Sequence, residues 1–138
     1  MTTEQKQLLI KDLCARIPYG VILNVEGVFG KPKHEQLAYV DSLGRIYISG
    51  YNLPIYLGDI CLGETQVKPF LRPMSSMTKE EINEFHKLRF THVNYGSEPL
   101  QCVLSIDETD WLNTYHFDYR GFIEKGLALP APDGMYNF

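Results

Sequence analysis

The sequence predicts an α+β fold: a small curled antiparallel sheet or SH3-like barrel, flanked by an N-terminal helix and C-terminal helices. Three observations carry this. Apolar residues recur at helical spacing between Leu9 and Ile17. The period then shortens to two over several brief β-branched runs separated by Gly and Pro. Helical spacing returns after Thr78. Short strands at close intervals with Gly and Pro turns describe a curled sheet or small barrel.

Thr2 or Thr3 can cap the first helix, with Glu4 and Gln5 in its opening turn. Leu9, Ile10, Leu13, Cys14 and Ile17 form its apolar stripe, which makes Cys14 a buried small hydrophobe. Pro18 ends the helix and Tyr19-Gly20 turns the chain. Val21, Leu23 and Val25 alternate with Ile22 and Asn24 as a strand. After a loop with Gly27, Gly30 and Pro32, Leu37–Val40 and Arg45–Ser49 read as two strands joined by Asp41-Ser42-Leu43-Gly44. Asp opening the turn and Gly at its left-handed position specify a bulged hairpin.

"YNLPIYLGDICL" offers a further strand or two, with Pro54 at an edge or bend. "VKPFLRPMSSM" carries Pro69 and Pro73 and reads as an extended crossing segment. Thr78 and Glu81 make a capping box for a second helix through Ile82, Phe85 and Leu88. Asn94 to Pro99 breaks the chain, and Leu100 to Ile106 reads as a short strand. Asp107 or Thr109 then caps a helix through Trp111. Asp118 caps a second short helix, with Phe122 and Ile123 turned inward and Gly126 stopping it. Arg120 is placed to pair with Asp118 or Glu124.

Composition narrows the function classes. The 138 residues suit a single domain spanning 1–138, and 44% hydrophobic with 22% charged residues is ordinary for a globular chain. The net charge of −4 argues against a broad double-stranded nucleic-acid footprint. Lys31-Pro32-Lys33-His34 is the one basic turn, read as a solvated loop. Cys14, Cys61 and Cys102 have no paired spacing, which fits a reducing cytoplasm. The first residues lack a signal-peptide apolar core, and no apolar run approaches the ~18 residues of a membrane span.

No motif specifies chemistry. His34, His86, His92 and His116 form no zincin pattern, and no Cys-x-x-Cys is present, so no metal is expected. No phosphate-binding glycine motif precedes a helix and no nucleophile elbow occurs, so no cofactor is expected either. The acidic run Asp107, Glu108 and Asp110 suits the first turn of a helix. "HFDYR" is the most chemically dense group: His116, Asp118, Tyr119 and Arg120 would supply an imidazole, an orienting carboxylate, a phenol and a cation. Capping by Asp118 explains the same residues structurally.

The blocks "IKDLCARIPYGV", "VKPFLRPMSSMTKEE" and "WLNTYHFDYRGFIEKGLAL" resemble a family of small hypothetical proteins of gut Bacteroidales and their phages and mobile elements. Glu26 to Thr65 departs from that pattern. The resemblance implies an accessory protein of a bacterial or phage cytoplasm and carries over no catalytic residues.

Two functional readings follow. The first is a non-enzymatic binding protein, with Tyr39, Tyr47, Tyr51 and Tyr56 lining an aromatic face that meets a protein partner or another copy. In that hairpin Ile46 and Ile48 point to the core and Tyr47 to the outer side, unless the first helix or the tail "APDGMYNF" covers it. The second is a small enzyme using His116, Asp118 and Arg120.

Overall fold

A computed structural model describes residues 2–27, 31–55, 66–92 and 104–136. It has the expected α+β character. Helix α1 (Thr3–Arg16) leads into strand β1 (Ile22–Glu26), β2 (Lys33–Val40), β3 (Ile46–Ile48) and β4 (Gln66–Leu71). Helices α2 (Lys79–His92) and α3 (Ile106–Thr114) follow, and the two-residue strand β5 (Leu129–Pro130) comes last. The sheet order is β3-β2-β1-β4-β5. It is open, so no barrel forms, and it is mixed: β5 runs parallel to β4 while the other pairings are antiparallel.

Thr2 caps α1 through a full capping box with Gln5, since the two residues exchange backbone-to-side-chain bonds at 3.0 and 3.1 Å. The expected apolar stripe is displaced. The buried positions are Leu9, Asp12, Leu13 and Arg16, while Cys14 is exposed. The stripe still has the i, i+3, i+4, i+7 spacing of one helix face, but two of its four members are charged. Those two charges form a buried ion pair.

The hairpin forms as its turn residues dictate. Gly44 has φ +78°, its N–H bonds the Asp41 carbonyl, and the Asp41 N–H bonds the Arg45 carbonyl. The Asp41 side chain also accepts from the Leu43 and Arg45 amides. A second irregularity lies between Leu37 and Tyr39, where Leu37 faces Ile48 and Tyr39 faces Tyr47. Leu37, Ile46 and Ile48 are consequently buried with Leu23, Val25, Val67 and Leu71 in one core beneath Leu9 and Leu13.

The segment with Pro69, expected to cross in extended form, is a strand between β1 and β5. The Leu37 N–H bonds the Val21 carbonyl, so odd positions of β1 face β2 and even positions face β4. Pro69 lies opposite Leu23, so its missing N–H is turned away from β1.

Thr78 and Glu81 form the expected capping box. The cap of α3 is Ser105, not Asp107 or Thr109, with Glu108 reaching back to it. The expected short strand reaching Ile106 is corrected at its end, because Ile106 opens the helix. Residues 100–103 and the break from Asn94 to Pro99 lie outside the described residues.

Both ends of the "HFDYR" region close with Schellman motifs. At the first, the His116 N–H bonds Asn113 O and the Phe117 N–H bonds Leu112 O. His116 takes the left-handed position with φ 63°, among the described residues the one non-glycine to do so. At the second, Gly126 takes that position, with Gly126 N–H to Ile123 O and Leu127 N–H to Phe122 O. Asp118 caps this second unit as expected, but it is a single turn and not a helix.

Candidate functional site

The outer side of the β2–β3 hairpin carries a stacked aromatic pair. Tyr39 and Tyr47 are directly opposite in the ladder, with ring centroids 4.2 Å apart and planes 13° from parallel. Tyr39 is 51% exposed and Tyr47 is half-buried. Leu43 at the turn is 76% exposed. Asp41 and Arg45 pair beside the rings, and the Tyr47 hydroxyl lies 3.5 Å from the Asp41 carboxylate. Desolvation works against that carboxylate, yet the Arg45 and Leu43 amides and the Arg45 guanidinium hold its pKa below the ordinary range. The Tyr47 phenol is raised, chiefly by desolvation, with Arg45 opposing and Asp41 reinforcing the shift. The hairpin thus presents a preformed aromatic surface whose adjacent charges are already matched.

Tyr51 is half-buried and packs against the core, so it does not extend that face. Tyr56 lies outside the described residues. The described part of the tail, residues 131–136, runs to the seam between β1 and β4, where Tyr136 is anchored.

Of the "HFDYR" residues, Phe117, Tyr119 and Arg120 meet α1. Asp12 and Arg16 are each 0% exposed and paired, Arg16 Nε to Asp12 Oδ2 at 2.8 Å. Arg120 Nε reaches the other Asp12 oxygen at 2.9 Å, so its partner is Asp12 and neither Asp118 nor Glu124. Arg16 also donates to the Phe117 carbonyl at 2.9 Å, and both guanidiniums lie about 5 Å from the Tyr119 ring centroid, at 5.1 and 5.2 Å. Both Asp118 oxygens accept backbone bonds, from Phe122 at 2.8 Å and Ile123 at 2.9 Å. His116 stacks on the Tyr136 ring at 3.7 Å. Burial, then the fields of Arg16 and Arg72, lower its pKa to about 4.

Each member of the expected catalytic set has a partner outside the set: Asp118 in a turn, Arg120 on α1 and His116 in a ring stack. The residues that organise the region, Asp12, Arg16, Arg72 and Tyr136, are not apparent from local sequence. Only the i,i+4 spacing of Asp12 and Arg16 is a usable signal for the buried pair.

Arg72 bridges the helices to the sheet. It makes two 2.8 Å bonds to Glu81, and its guanidinium lies 4.2 Å from the Phe117 ring centroid. Its hydrogen bond, opposed by burial and aided by the Thr78 amide, lowers the Glu81 pKa. Beside it, Pro73, Ser76, Pro132, Asp133 and Tyr136 help to line a cleft of about 420 Å³. No group of three or more metal-ligating side chains occurs among the described residues, and none of their helices is long and apolar enough to cross a membrane. No family model, curated protein or solved structure matches this chain.

Proposed function

We propose that this chain is a non-enzymatic binding protein and that the Tyr39–Tyr47 face is its contact surface for a protein partner. The observation that carries the reading is the exposed Tyr39 ring stacked on Tyr47, beside the 76% exposed Leu43. Tyrosines held rigid before contact lose little side-chain freedom on binding, which favours them at interfaces. The alternative, an enzyme built on His116, Asp118 and Arg120, has less support because each side chain is committed elsewhere. The setting we infer, an accessory role in a bacterial or phage cytoplasm, rests on the unpaired cysteine spacing and on the resemblance of three sequence blocks.

Site-specific photo-cross-linking tests the reading. A cross-linker in place of Tyr39 should trap one discrete protein in native extract, and one in place of exposed Lys11 on α1 should not. Trapping of a second copy would assign the face to self-association. Equal labelling from both positions would remove the proposed surface.

A further inference from the structure

The last described residues do something the strands alone do not. In the β1–β4 ladder, Leu23 faces Pro69 and the next rung would join Ile22 to Phe70. Ile22 is turned toward β4, as an even position of β1. The rung is instead made through a side chain. The Ile22 N–H donates to the Tyr136 hydroxyl at 2.9 Å, and that hydroxyl donates to the Phe70 carbonyl at 2.8 Å. The phenol thus stands between two strands in the sheet's interior, and its ring lies on His116 with planes 19° from parallel.

Among the described residues few other hydrogen bonds fasten the segment that delivers Tyr136. The Ala131 N–H bonds the Leu71 carbonyl at 2.8 Å, and the Met135 N–H closes a turn onto Pro132. Pro130 and Pro132 have no N–H to give. Pro132, Asp133 and Gly134 are exposed, and Gly134 has φ +80°. The same segment forms one wall of the 420 Å³ cleft, and Arg72, Pro73 and Ser76 form the facing wall.

We propose that residues 131–136 are a hinged lid on this cleft, latched by the Tyr136 hydroxyl in the Ile22–Phe70 rung and by its ring on His116. The near end turns about the Ala131 bond to β4, and among the described residues Tyr136 anchors the other end. Opening uncovers the His116 ring, the Ile22 N–H and the Phe70 carbonyl while the sheet on either side stays paired. Segments held by few bonds open separately from the global transition, and this can be measured.

Amide hydrogen exchange on the full chain, read by NMR with increasing urea, tests the lid. The Leu37 N–H, bonded to Val21 inside the sheet, reports global unfolding. After correction for intrinsic rates, Ile22 should exchange at least about a hundredfold faster than Leu37 and with little urea dependence, as a local opening requires. Tyr136→Phe keeps the ring and removes the hydroxyl, so it should speed Ile22 exchange about tenfold further, the effect of one net hydrogen bond, and leave Leu37 unchanged. Equal rates and equal urea dependence for Ile22 and Leu37 in the unaltered chain would overturn the lid, and would do so even if the variant failed to fold. A Tyr136→Phe protein with unchanged Ile22 exchange would overturn the latch.

Discussion

Removing the Asp12 carboxylate should destabilise this protein more than its polarity suggests. Asp12 is 0% exposed and accepts from two arginines, Arg16 at 2.8 Å and Arg120 at 2.9 Å. Arg120 is partly solvated, but Arg16 is 0% exposed and its Nη1 already has no hydrogen-bond partner among the described residues. In Asp12→Ala the Arg16 charge would stay buried, left among the described residues with the Phe117 carbonyl and the Tyr119 ring. Breaking a buried pair from one side costs about 3–5 kcal/mol. A chain of this length unfolds with an entropy of about 0.3 kcal/mol/K, so the melting temperature should fall by roughly 10–17 °C. Replacing both partners, as in Asp12→Leu with Arg16→Met, should restore most of the loss, because an apolar pair of similar volume removes the stranded charge. Urea unfolding of the single and double variants measures the difference. An Asp12→Ala protein within about 1 kcal/mol of the parent would refute the claim that this pair is a dry, mutually dependent unit.

Other expectations are independent of that pair. Phe122 is fully buried in the core cluster, so Phe122→Ala should cost about 3–5 kcal/mol in urea unfolding; Trp111, only half-buried, should cost less on truncation. His116 has a pKa of about 4 in the folded chain against an ordinary 6.5. Between these values the unfolded chain takes up the proton first, so stability should fall as pH drops from about 6.5 toward 4. His116→Asn, which tolerates the left-handed backbone, should flatten that limb in a pH series of unfolding curves. Asp41 and Glu81, whose pKa values are lowered, act in the more acidic range, where their stabilisation is lost as the carboxylates take up protons. With a net charge of −4 the protein should show no submicromolar binding to random duplex DNA at physiological salt, measured by fluorescence anisotropy.

What the sequence disclosed was mostly local. The hairpin register followed from Asp41 and Gly44, and the burial of Ile46 and Ile48 followed from the register. The α2 capping box was legible for the same reason: its partners are three residues apart. Misreadings arose where a long-range partner changed the local logic. Cys14 looked buried because the helix period was read through apolar residues alone, yet Arg120 from the far end of the chain makes Asp12 and Arg16 the inward pair. The Pro69 segment read as extended, but not as a strand between two others, because which way its nitrogen faces depends on register, and register is not local. The strand rung through Tyr136 joins residues 114 positions apart and leaves no periodic trace. In the candidate site, the Tyr39–Tyr47 pairing was legible from alternation across the turn and the capping by Asp118 from its position, while the Arg120 bond to Asp12 and the His116 stack on Tyr136 were not.

The contact surface can be tested most directly by Tyr39→Ala combined with Tyr47→Ala, compared with the parent chain for capture of the protein trapped from position 39. The stacked pair lies outside the core, so the double variant should keep the parent's melting temperature to within a few degrees, as surface substitutions do. It should lose at least about tenfold in affinity for that protein, the scale of one aromatic contact at an interface. A folded double variant that binds the same protein with unchanged affinity would contradict the assignment of this face as the binding surface.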